Sequence, residues 1–104
     1  MLKITVVEDP RGRRVIVEGK LIAPWVAEFT NAYYAAKRDL QDRQLIVDLR
    51  GLTAVGHEGE DILLQLMREE IKFLCGVYAR EVLRQLARRN STPLPTDGHT
   101  DPGR

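Results

Sequence analysis

A single cysteine, Cys75, occurs in the 104 residues, which excludes an internal disulfide and says nothing against a reducing compartment. It closes the run Ile71-Lys72-Phe73-Leu74-Cys75, where a buried, inert thiol is expected. Serine is scarcer than in most domains: Ser91 stands alone, near no histidine in sequence but His99, which argues against a Ser-His-Asp constellation. No apolar run approaches the roughly 20 residues a membrane-spanning helix needs, and no leader-like segment opens the chain. The expectation is a cytoplasmic protein without membrane insertion. Charge of one sign is also missing. The net charge of +1 supplies no global pull toward nucleic acid or an anionic bilayer. Gly56-x-x-Gly59 lacks the lysine and the spacing of a phosphate-binding loop, and no internal repeat is visible.

The 43% apolar and 30% charged residues suit one small domain. Leu2 to Glu8 alternates and is β-branched; Asp9-Pro10-Arg11-Gly12 is a turn; Arg14 to Gly19 returns as a second strand, giving an N-terminal hairpin. Pro24 then opens a helix whose apolar face is Trp25, Val26, Phe29, Ala32, Tyr33 and Ala36, ending near Lys37-Arg38. Core packing is the favoured reading of that stripe. A small-molecule cleft near Trp25, Tyr33 and Tyr34 is its rival. Leu45 to Leu49 reads as a strand buried on both faces, followed by a loop with its tip at Gly56-His57-Glu58-Gly59. From Glu60, the residues Ile62, Leu63, Leu66 and Met67 mark one side of a helix. Lys72 to Cys75 forms a short strand, and Val77 to Arg89 a last helix with Tyr78, Val82 and Leu86 on one side and Leu83 beside them. Two strand-helix-strand steps imply right-handed crossovers and parallel strands. Residues 1–89 are thus expected to form the domain. Three of the five prolines fall in residues 90–104, where disorder is expected.

The segment Ile46-Val47-Asp48-Leu49-Arg50-Gly51-Leu52-Thr53-Ala54-Val55-Gly56-His57-Glu58-Gly59 resembles the signature of STAS domains, found in anti-sigma-factor antagonists and in the cytoplasmic tails of sulfate transporters. Asp48, Gly51, Thr53 and Gly59 match its pattern, and Gly56-His57-Glu58 stands where Asp-Ser-Ser is usual. The stretch from Val17 to Phe29 also looks like the second strand and first helix of a STAS subgroup. The resemblance spans about residues 2–89. It implies an α/β fold: a STAS-like single domain with a mixed, mostly parallel sheet of about four strands, three main helices and the N-terminal hairpin.

In regulatory STAS members a serine at the start of a helix binds a partner kinase, the anti-sigma factor, and phosphorylation breaks that contact. The equivalent position here is Glu58, which a serine kinase cannot phosphorylate. The resemblance therefore implies a non-enzymatic protein-protein interaction module in bacterial regulatory signalling without a serine switch. Its partner-binding residues would be Gly56, His57, Glu58, Gly59, Glu60 and Asp61, and its partner an anti-sigma-factor kinase or a related regulator. Glu58 would act either in a constitutive contact or as a fixed imitation of the phosphorylated state. An accessory subunit of a transporter or stress-signalling assembly is the alternative within that class. No cofactor, metal or nucleic acid is expected, and a homodimer through sheet edges stays open. The rival from another class uses His57 and Asp61, one helical turn apart, to chelate a metal. Acids in a first helical turn are expected on dipole grounds alone. Five acids between Gly56 and Ile71, followed by five bases between Lys72 and Asn90, read as neighbouring solvated faces.

Overall fold

The computed structural model describes residues 1–90 and Leu94. Along the chain come β1 (Leu2–Asp9), β2 (Gly12–Leu21), α1 (Trp25–Lys37), β3 (Gln44–Val55), α2 (His57–Arg68), β4 (Lys72–Leu74) and α3 (Val77–Asn90). The tail expected from residue 90 loses its first member to α3, where the Asn90 side chain donates to the Leu86 carbonyl at 3.0 Å. Residues 91–104, Leu94 apart, lie outside the described residues.

The four strands form one sheet in the order β1-β2-β3-β4, antiparallel at β1–β2 and parallel thereafter. Both crossovers step the same way across the sheet, so right-handedness sends α1 and α2 to the same face. Contact of α3 with α2 brings all three helices there. Gly12 owes its identity to the parallel pairing: a Cβ would stand 2.1 Å from the Gln44 carbonyl oxygen. Beneath the helices, Val15, Val17, Val47, Leu49 and Phe73 are buried with Phe29, Tyr33, Leu63, Leu66 and Leu83. Each large side chain fully withdrawn from water stabilises the fold by about 1.5–3 kcal/mol. Tyr33 also donates from its hydroxyl to Glu69 Oε1 at 2.5 Å, and Lys37 Nζ reaches the same oxygen at 2.8 Å, tying α1 to the end of α2.

Among the described residues no helix lies on the other face, which corrects the expectation that β3 is covered on both sides. Residues directly opposite one another share a face. Val7, Arg14, Ile46 and Lys72 make one row across the four strands; Thr5, Ile16, Asp48 and Leu74 make the next. All are partly exposed except Asp48, 3% exposed.

Candidate functional site

Helix α2 starts at His57, so Gly56 alone separates it from β3, where a four-residue loop tip is expected from sequence. Gly56 is extended (φ −93°, ψ −175°) and caps the helix without a side chain; its N–H donates to the Leu21 carbonyl at 3.0 Å, and its carbonyl accepts from Glu60 N–H at 2.9 Å. Gly59 lies inside the first turn, not in a loop. A Cβ there would come within 2.3 Å of the Leu21 carbonyl oxygen and 2.9 Å of Val55 Cγ1. The glycine thus lets the helix settle directly against the ends of β2 and β3. It is buried, and so leaves the contact surface assigned to it from sequence.

The remaining residues of the turn divide by side. His57, Glu58 and Asp61 are exposed, at spacings that put them on one outer stripe, and none has a side-chain hydrogen bond or ion pair among the described residues. Glu60 turns toward α3 and meets Arg89 Nη2 at 3.4 Å, one instance of the expected attraction between the acidic and basic runs. Two carboxylates, Glu58 and Glu60, stand in the first turn, where the unpaired N–H groups and the dipole favour negative charge by about 0.3–1 kcal/mol each. Among the described residues no group of three or more His, Cys, Asp or Glu side chains converges as a metal cage would require, so His57 and Asp61 make at most a two-ligand pair.

The aromatic stripe of α1 is core. Tyr33 is fully buried, Trp25 is packed partly against the core, and Tyr34, 40% exposed, stands edge-on to Tyr33 at 4.9 Å. Thr53, part of the signature, is exposed at an irregularity where β3 carries one residue more than β2 between Leu52 and Ala54.

A second polar cluster went unnoticed in the sequence. One extra residue in β3, between the Ile16–Asp48 and Glu18–Gly51 pairings, forms a bulge that folds Arg50 back over Asp48. Asp48 Oδ1 accepts from the Arg50 N–H at 3.1 Å and from its Nε at 3.0 Å, and Oδ2 from Nη2 at 2.7 Å. Burial pushes the Asp48 carboxyl up, but the Arg50 bonds and the nearby Arg14 charge outweigh it and hold the group below the usual carboxylate range. An acid two residues from an arginine in an apolar run was the only sequence signal for this pair.

No protein-family model and no curated protein matches the chain. Among solved structures, it is similar to an uncharacterized protein of the DUF3478 family, with a SpoIIAA-like fold, from Shewanella loihica PV-4. The TM-score is 0.57 at 13% identity, covering 98% of this chain and 88% of that one. The architecture is therefore the SpoIIAA-like fold, which is the STAS-like fold expected from the β3–α2 signature. No helix among the described residues is long and apolar enough to cross a membrane.

Proposed function

We propose that this protein is a non-enzymatic interaction module of regulatory signalling, and that it docks a partner protein through the outer stripe of the first α2 turn. The observation that carries the reading is the unpartnered set His57, Glu58 and Asp61, exposed at a helix N-terminus directly after a parallel strand. Loops and helix starts at the carboxyl ends of such strands are where α/β folds place their contacts. Glu60 supports the stripe from the side through Arg89, and Gly56 and Gly59 let the turn sit close to β2. Glu58 holds about one permanent negative charge, against roughly −1.5 to −2 for a phosphoserine. The surface therefore keeps a fixed charge where regulatory relatives of this fold have a reversible one. A regulator with a basic patch suits it best, and an anti-sigma-factor kinase is the partner class the STAS resemblance suggests.

The test is capture from native cell extract with wild type, Glu58→Ser and Glu58→Lys as baits. The expected result is a partner held by wild type and lost, by at least about tenfold in affinity, with Glu58→Lys, a difference of about 1.4 kcal/mol. Capture of a nucleotide-binding kinase by Glu58→Ser alone would identify Glu58 as a lock on a former switch. Identical recovery by all three baits would remove the α2 turn as the contact surface.

A further inference from the structure

The face of the sheet that no described helix covers lies apart from the α2 surface, and its composition is unlike that of a solvated face. Val7, Ile16, Ile46 and Leu74 occupy it, one from each strand and all partly buried. On an antiparallel or mixed sheet with one wet side, those positions are ordinarily polar. On the two rows themselves, Arg14 and Lys72 stand against Asp48 alone. Arg50 holds both oxygens of Asp48, and Arg14 lies near that carboxylate without a hydrogen bond to it. Arg14 and Lys72 then flank Ile46 in a single row, and Arg14 Nε is buried without a hydrogen-bond partner. A buried donor left unpaired is costly unless something completes it.

We infer that this face docks an acidic amphipathic helix of a partner protein, laid across Ile16, Ile46 and Leu74 with its carboxylates on Arg14 and Lys72. The geometry suits a helix. Arg14 and Lys72 are two strand spacings apart, roughly 10 Å, which matches the rise of about 10.5 Å between residues i and i+7 of an α-helix. Helices already cover the opposite face, so a docked helix completes a three-layer arrangement. A second copy of the chain would set arginine and lysine against arginine and lysine. Single-stranded nucleic acid would find no aromatic ring on these rows for its bases to stack upon. This site is separate from the α2 turn and goes beyond the function proposed above; occupied together, the two surfaces would let one domain join two proteins.

The experiment titrates isotope-labelled protein with a synthetic helical peptide carrying leucine at i, i+3, i+4 and i+7 and glutamate on the flanks. The same peptide with lysine for glutamate is the control, and amide shifts are the readout. Shifts centred on Ile16, Ile46 and Leu74 are expected with the glutamate peptide alone. Arg14→Glu with Lys72→Glu should weaken binding at least about tenfold, and Lys72→Glu alone, at a partly exposed site that leaves the fold intact, by a smaller factor. Affinity should also fall as salt is raised. No shifts at about 1 mM peptide, equal binding of the lysine peptide, or shifts centred on α2 or α3 would overturn the inference. So would concentration-dependent shifts on this face without peptide, which would make a second copy its occupant.

Discussion

Replacing Gly59 with alanine asks whether α2 rests on the ends of β2 and β3 as closely as described. The new Cβ would lie 2.3 Å from the Leu21 carbonyl oxygen, where ordinary contact begins near 3.4 Å, so the first turn must withdraw by about 1.1 Å. Val55 Cγ1 at 2.9 Å and Leu21 Cγ at 3.1 Å leave little room to slide sideways. Overpacking of this kind costs about 1–3 kcal/mol. The same carbonyl accepts the Gly56 N–H at 3.0 Å, and stretching that bond forfeits up to about 1 kcal/mol more. Alanine returns about 0.8–1.0 kcal/mol through its helix propensity. Taken at the middle of each range, the net loss is about 1.6 kcal/mol. At roughly 4–8 °C per kcal/mol for a domain of this size, the melting temperature should fall by about 6–13 °C. Thermal melting followed by circular dichroism, with urea titration as a second measure, reads the effect. A Gly59→Ala protein as stable as wild type, or more stable, would refute the close approach, because a glycine in a loop or on an exposed helix face behaves that way.

Three further perturbations follow from the contacts at the end of α2. Hydrogen bonds from Lys37 and Tyr33 lower the Glu69 carboxyl from 4.5 to about 2, against the opposing push of burial. Its stabilisation is therefore complete above about pH 4.5 and lost as pH falls toward 2. Glu69→Gln should flatten the fall in the urea midpoint across that window, and a slope equal to wild type would contradict the assignment. Tyr33→Phe should cost about 1 kcal/mol through the same network. At the helix terminus Glu70 adopts the left-handed conformation (φ 60°), while the Glu70 and Ile71 N–H groups donate to the Met67 and Leu66 carbonyls in a Schellman closure. Glu70→Gly should stabilise the protein by about 0.5–1 kcal/mol in urea titration, and a lower midpoint would count against the motif.

Where sequence and structure agree, a local pattern sufficed. The alternation of β1 and β2 across a Pro-containing turn, the Phe29, Tyr33 and Ala36 stripe, and two β-α-β steps all rest on periodicity, and the signature around Asp48 added the fold. Where they part, long-range packing decided. Ile46 looks like core in the run Leu45 to Leu49, since a partly exposed isoleucine and a buried one are the same letter. Gly59 reads as a helix breaker until the Leu21 carbonyl is brought beside it. On α3, helical spacing groups Tyr78 with Val82 and Leu86, yet the buried side is Ala79, Leu83, Leu86 and Ala87, and Tyr78 is 43% exposed. The Asp48–Arg50 pair depends on a bulge, which is a mismatch between two strands and has no mark in either alone. Of the six residues assigned to the α2 surface, His57, Glu58 and Asp61 are exposed. Gly59 is not, and Glu60 is turned to Arg89.

The strand order β1-β2-β3-β4 is also the order of synthesis. Each new strand joins the outer edge of a sheet already begun, and none has to be slotted between two earlier ones. The hairpin can form as soon as Leu21 has left the ribosome, at a cost of closing only a two-residue turn. α1 and β3 then build on β2, and α2 and β4 on β3, so nascent apolar segments meet their partners in turn. A truncated chain that ends after β3 would still hold three paired strands. Beyond β3 the sheet gains only the three residues of β4, with α3 following it, so most of the strand pairing precedes both.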